Sequence, residues 1–315
     1  MFGRICNLIG VELTKLTRQR IFYAAILLII ITVALSVLLE PPQNKPGSDE
    51  ELGGTTPVKA QIEKRPDGGF GPLSKSCKNG FVLASILMLI FSALSISSET
   101  TTGTIRMILT RPIKRSELFF AKAIMLIMVA VFIVITIEVI SLTLSYAAYG
   151  LNNVTYSAYP DTPFPEGARY LMIRYSLYSF VLIIFPLVAV IFFGLLISTL
   201  VENAGFAIAL AILIYLSFDY VIIGLFDKQA PYFFSYYNNF YWDKLNDLSN
   251  TISNSAWAFN VLDELFWIGN GDIKTSSLYY EWRFTVLRSI FVPICYVIVF
   301  SIPALFVLKR KDILS

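Results

Sequence analysis

The residues best placed to do chemistry in this chain are charges set in stretches that otherwise carry none. Glu138 and Asp219 stand inside long apolar runs, and Arg288 lies one turn into another. A charge at such a position is costly unless it meets a partner or a water-filled path, so each marks a functional candidate. Arg288 is expected to pair with Glu138 or Asp219, gating or lining an outward path or tying helices together. Snorkelling to a nearby boundary is the plainer alternative. Other chemistries are poorly supplied. The chain has no histidine, which removes the commonest general base and metal ligand. No GxxxxGK[ST] loop, HExxH or GxSxG occurs, so neither ATP hydrolysis nor intramembrane hydrolysis is expected of this chain alone. It is not expected to be an enzyme, to hold a metal or cofactor of its own, or to bind nucleic acid. Cys6, Cys77 and Cys295 form no CxxC pair and fall in different segments, so no disulfide framework is expected.

The elements that must position these charges follow from composition. Of the 315 residues, 56% are hydrophobic and only 15% charged, and mean hydropathy is +0.67. The charges cluster, and between the clusters lie runs of about 18 or more apolar residues, long enough to cross a bilayer as helices. The expected fold class is all-α, a polytopic membrane protein with six transmembrane helices. They cover roughly Ile21–Leu39, Gly80–Ser97, Phe119–Ala147, Tyr175–Leu200, Ala204–Phe226 and Phe284–Leu308. The first run is too long for a signal h-region and has no small-residue cleavage site after it, so it reads as an uncleaved signal anchor.

Orientation follows from lysine and arginine in short loops. With both termini cytoplasmic, the inner segments sum to +7, carried by Arg4, Lys15, Arg18, Arg20, Arg106, Arg111, Lys114, Arg115, Lys122 and Lys309 to Lys311. The outer segments sum to −2. The implied location is a cell (inner or plasma) membrane. On this layout Glu138, Asp219 and Arg288 all fall in the outer half of the bilayer.

Domain organisation is set by the same pattern. Residues 1–20 place Phe2, Ile5, Leu8, Ile9, Leu13 and Leu16 at helical spacing, with Arg4, Asn7, Glu12, Lys15 and Arg18 mostly opposite. That is an amphipathic helix suited to the inner interface. Residues 21–226 hold spans one to five, with irregular, Pro- and Gly-bearing outer loops at 40–79 and 148–174. Residues 227–283 form an outer segment dense in Tyr, Trp and Phe, which favour the membrane–water boundary. Its run Trp257–Ile268 is too short and acidic to span, and reads as an interfacial or re-entrant helix before the last span. Residues 284–315 hold span six and a cytoplasmic tail.

The loop from Ser98 to Lys122 reads SETTTGTIRMILTRPIKRSELFFAK. Glu99 to Leu109 can form a short helix, which Arg111-Pro112 breaks because the residue before proline is pushed out of helical geometry. Ser116 is placed to cap the next helix, which runs into span three. By itself this is a basic inner loop of a common kind. Glu99, Gly103, Thr104, Arg106, Ile108, Leu109, Pro112, Arg115, Leu118 and Lys122, in that order, resemble the loop between spans two and three of ABC-2 type transporter permeases. The opening Glu12, Lys15, Arg18 and Arg20 resembles the same family's start. The resemblance implies a permease subunit of an ATP-driven transporter, commonly an exporter. It also implies a homodimer or pseudo-dimer joined to an ABC-type ATPase that carries the ATP and magnesium. The loop at 98–118 would be a coupling helix seated on that ATPase, with Glu99, Gly103, Thr104, Arg106, Leu109, Pro112 and Arg115 as its coupling residues. Two alternatives stay open. One is a gradient-driven secondary transporter or channel using Glu138 and Asp219. The other is a non-transporting membrane scaffold.

Overall fold

The computed structural model describes residues 2–39, 70–102, 115–149, 176–218, 225, 232–237 and 277–310. Among them all regular structure is helical. α1 (Phe2–Thr17) precedes α2 (Arg20–Leu38), from which it is parted by a turn at Arg18 and Gln19. α3 runs Phe70–Thr101, α4 Arg115–Tyr149, α5 Ile184–Leu200, α6 Ala204–Leu216 and α7 Ser277–Arg310. The helix from Ser176 runs through a single turn at Ile183 into α5, making one 25-residue apolar rod. The turn falls three residues before Pro186, whose ring blocks the carbonyl one turn back.

The rods alternate in direction. The last turns of α3, α5 and α7 gather with α1 and the first turns of α2, α4 and α6 at one end of the bundle, called here the near end. α3 lies at the centre, against α2, α4, α5 and α6. Its buried face carries Leu73, Cys77, Phe81, Ala84, Met88 and Ile96, and residues three to four apart recur on one helical stripe. The outer rods leave apolar side chains uncovered, among them Leu27, Ile31 and Leu35 on α2 and Phe291, Ile298 and Ile302 on α7. Such faces belong against lipid, where apolar exposure costs nothing.

Small residues let the rods approach. A Cβ built on Gly194 of α5 would stand 1.8 Å from Ser92 Oγ and 3.1 Å from the Leu89 carbonyl oxygen of α3. Only glycine fits a contact so close, the usual device where helices pack in a membrane. At the near end the same two helices are stitched by Ser198, whose hydroxyl accepts from the N–H groups of Ile96 and Ser97, both at 2.9 Å. Asn203 caps α6 by accepting from Gly205 N at 2.9 Å and Phe206 N at 3.3 Å, satisfying two N–H groups of its first turn.

The structure bears on the sequence expectation in three places. Among the described residues, five helices are long and apolar enough to cross a membrane: Arg20–Leu38, Pro72–Thr101, Arg115–Ala148, Ser176–Leu200 and Leu287–Arg310. Of the expected span Ala204–Phe226, Ala204–Leu216 is regular helix, 13 residues, about 20 Å at the usual rise. It passes into a wider π-type turn at 217–218, and residues 219–224 and 226 lie outside the described ones. Secondly, α3, α4 and α7 overrun their expected spans. Residues 70–79, expected in the outer loop, are the first turns of α3, with Pro72 near its start where a missing N–H is harmless. Hydropathy marks where a helix meets lipid, not where the helix ends. Thirdly, part of the aromatic segment packs into the bundle. A 3₁₀ turn, Phe234–Tyr236, puts Phe234 among Phe193 of α5, Tyr215 of α6 and Tyr296 and Phe300 of α7, with ring centroids 5.1 to 6.4 Å apart. The run Trp257–Ile268, Asp219 and residues 103–114 lie outside the described residues.

Candidate functional site

Two polar constellations lie inside this apolar bundle, one at each end of α3 and α4. The near-end site begins with Lys122, about two turns into α4. The local sequence, Leu118-Phe119-Phe120-Ala121-Lys122-Ala123, winds into helix with Leu118, Phe119 and Lys122 on its buried side. Lys122 is 1% exposed. Its ammonium meets three acceptors: Glu12 Oε2 of α1 at 3.0 Å, Glu99 Oε1 of α3 at 2.9 Å and the Ser95 carbonyl at 3.0 Å. An ammonium has three N–H groups, and here each has one partner. Glu99, 2% exposed, also accepts from Lys15 of α1. Two acids and two lysines from three helices thus form a neutral buried group.

Lys15 sits at its rim, with 46% of its side chain exposed. Partial burial works against its charge, but the hydrogen bond and charge of Glu99, with the charge of Glu12 behind them, outweigh this. Its ammonium is therefore held above the ordinary 10.5.

α1 docks through Leu8, Ile9, Glu12 and Leu16, while Leu13 faces outward. Residue type groups Glu12 with the polar residues, but its spacing of four from both Leu8 and Leu16 sets it on the docked stripe. There Lys122 offers it a partner.

The stems of the loop at 103–114 are both fastened. On the α3 side, Glu99 is in the ionic group. Thr100 and Thr101 donate to the Glu202 carbonyl at 3.1 and 2.7 Å. On the α4 side, Arg115 donates to the carbonyls of Leu308 and Lys309, both at 3.1 Å. A guanidinium on the last carbonyls of α7 satisfies acceptors that the helix cannot and complements its dipole. Of the expected coupling residues, then, Glu99 and Arg115 are placed here as anchors at the foot of the loop. Gly103, Thr104, Arg106, Leu109 and Pro112 lie outside the described residues. Lys122 closes the quoted motif, yet in sequence it reads only as a basic inner residue. Its signal is its position inside an apolar run, the same signal that singles out Arg288.

The far-end site centres on Glu138 of α4, which is 5% exposed. Its carboxylate accepts from the Ser176 hydroxyl ahead of α5 and, at 3.6 Å, from the Cys77 thiol of α3. Ser141 and Ser76 lie against the Cys77 sulfur, and Ser74, Ser145 and Ser179, on the same stretches of helix, are buried as well. Arg288 is elsewhere: its guanidinium carbon stands 5.4 Å from the Tyr232 ring centroid, a cation–π distance. Among the described residues the ion pairs are those of the near end, and Glu138 pairs with no arginine. It faces α3 and α5, the helices that supply its donors.

No group of three metal-ligating His, Cys, Asp or Glu gathers among the described residues. Beside this geometry stands the comparison with known families. The sequence matches the description "ABC-2 family transporter protein" over residues 6–313. The chain belongs to the ABC-2 transporter family. Comparison with curated proteins gives no match. The family match takes in nearly all of α1 and the whole of α2 to α7, both loop stems and both polar sites. With five apolar rods long enough to cross a bilayer among the described residues, the chain is a multi-pass membrane component of a transporter.

Proposed function

We propose that this chain is the membrane-spanning permease subunit of an ABC-2 type exporter, driven by a separate ATPase that docks on the loop at 98–118. On this reading the near end of the bundle faces the cytoplasm, α1 lies in the inner interface, and the aromatic segment at 227–283 re-enters from outside. Two copies, or this chain and a homologous partner, form the transporter. ATP and magnesium belong to the ATPase, and a permease without a phosphate-binding loop needs such a partner.

The observation that carries the reading is the anchoring of the loop. Glu99 near its start and Lys122 just past its end share one buried ionic group that also holds α1, while Arg115 grips the end of α7. A displacement of the docked loop would therefore move α1, α3, α4 and α7 together instead of bending one hinge. Ionic contacts of this kind have discrete arrangements, which is what a two-state coupling element requires.

The test is co-purification with candidate ATPases, including any encoded beside it. Arg106→Glu is the cleaner variant, since Arg115→Glu also frees the end of α7. The wild-type chain should retain an ATPase and stimulate its hydrolysis, and Arg106→Glu should weaken both. Failure of any ATPase to associate, or hydrolysis indifferent to Arg106→Glu, sinks the reading. The burial of Glu138 favours the gradient-driven alternative as second reading. That alternative requires transport that survives loss of the ATPase and fails in Glu138→Gln.

A further inference from the structure

We propose that Glu138, with the serines around it, forms a binding site for a hard monovalent cation between α3, α4 and α5. The site stands on the geometry of the bundle and needs no ATPase.

The first ground is charge. Glu138 is buried, and its partners are a hydroxyl and a thiol, both neutral donors. Lys75 and Lys78 lie on the same stretch of α3 but off the Cys77 face, one exposed and the other half-exposed. An ionised carboxylate buried with no opposite charge is strongly disfavoured. The near end of this same bundle shows the ordinary remedy, a lysine for each acid, and among the described residues Glu138 has none.

The second ground is a set of oxygens with nothing to do. Glu138 and Ser141 stand at i and i+3 of α4, neighbours on one helical stripe, while Ser145 lies a further turn along it, about 10 Å from Glu138 by the helical rise. Ser141 lies beside the Cys77 sulfur. Both serines are fully buried; the Ser141 hydroxyl reaches only the Cys77 sulfur, and the Ser145 hydroxyl oxygen has no hydrogen-bond partner among the described residues. Orphaned buried hydroxyls are rare enough to require an occupant. Ser176, already on Glu138, supplies a further oxygen from the third helix.

The third ground selects the ligand. Carboxylate and hydroxyl oxygens are hard donors, suited to alkali and alkaline-earth ions over soft metals. One carboxylate neutralises one positive charge, and a divalent ion would leave an excess charge in the apolar interior. A lithium- or sodium-like ion, or potassium, matches both conditions.

The experiment uses the purified full chain in nanodiscs, without any ATPase. Its thermal unfolding is followed while lithium, sodium or potassium chloride replaces choline chloride at constant ionic strength. At least one alkali cation should raise the unfolding temperature saturably where choline does not. Glu138→Gln should abolish that response. Should Glu138→Gln not fold, Ser176→Ala, which removes the hydroxyl on the carboxylate, carries the test. Loss of one oxygen should weaken the apparent affinity by about tenfold or more, in line with the sensitivity of metal sites to their supporting groups. The proposal is overturned if wild type answers alkali cations no better than choline, or if neither variant alters the response. It is also overturned if stability follows pH alone with no cation effect, which would make the site a proton site. Failure of the ATPase co-purification leaves these outcomes unaffected, so the two readings fall separately.

Discussion

The two ends of α3 and α4 bury charge in opposite ways. At the near end, Glu12 and Glu99 meet Lys122 and Lys15, and the group is neutral within the chain. At the far end, Glu138 meets only hydroxyls and a thiol. The first arrangement balances its charges within the chain, although Glu99 Oε2 keeps no hydrogen-bond partner among the described residues, and it sets the relative position of three helices. The second lacks a positive charge and has spare oxygens, so its state depends on what enters. The two ends thus differ in kind: one acts as a structural tie, the other as a receptor. They are joined through α3, whose seam with α5 lies between them.

The contrast is sharpest in Lys122→Met, which leaves Glu12 and Glu99 buried together, with Lys15 at the rim as their remaining lysine. Removing one member of a buried ion pair costs about 3–5 kcal/mol. The purified chain should lose most of its thermal stability, or fail to accumulate in the membrane. Adding Glu12→Gln should recover part of the loss, because the two residues act as a unit. Glu138→Gln, by contrast, removes a charge with no ionic partner and should cause no comparable loss. Equal losses from Lys122→Met and Glu138→Gln would erase the distinction between the ends.

A smaller effect tests the seam between them. Gly194→Ala would push a methyl into Ser92 and the Leu89 carbonyl. Backbone cannot yield as a flexible side chain does, and overpacking of this sort costs about 1–3 kcal/mol. Unfolding temperature should fall, and cation binding at Glu138 should weaken with it if the seam holds the far-end serines in register. Gly80→Ala meets only the side chains of Ile137 and Val33, each at 2.9 Å, and should cost less. A Gly194→Ala chain as stable as wild type would show that α3 and α5 pack less closely than this.

Much of this arrangement is legible in sequence, and the limits have physical causes. Apolar runs reveal the rods because hydrocarbon tolerates little else. Glu138 is legible because charge within such a run is rare. Its surroundings are not, since serine occurs anywhere in a membrane helix and only packing shows which hydroxyls converge. Glu12 is misplaced for a related reason. Grouping it with the polar residues assumes that charge seeks water, whereas its spacing from Leu8 and Leu16 sets it on the docked stripe and a lysine on another helix satisfies it there. The position of Phe234 is hidden likewise, because aromatic richness suggests a boundary while ring packing can draw a turn into the bundle. Arg115 is legible as a motif residue, but its grip on α7 joins residues far apart in the chain, Arg115 to Leu308 and Lys309.

The smallest effect concerns the rim of the near-end group. Burial pulls the ammonium of Lys15 down, but Glu99, with Glu12 behind it, outweighs that pull and holds it above 10.5 in the folded chain. A raised folded value means that the folded state keeps its proton longer than the unfolded one. The stabilisation is therefore fully present below the unfolded value and is lost as pH rises through the folded one. Because Lys15 is nearly half exposed, solvent screens the pair and the effect stays small. Thermal unfolding measured from about pH 9 to about pH 12 should show wild type losing slightly more stability than Lys15→Met, since the variant has no such proton to lose. High salt should shrink the difference, as befits a partly exposed pair. Identical pH profiles would mean that Lys15 only decorates the group, and that Lys122 alone joins α1 to the foot of the loop.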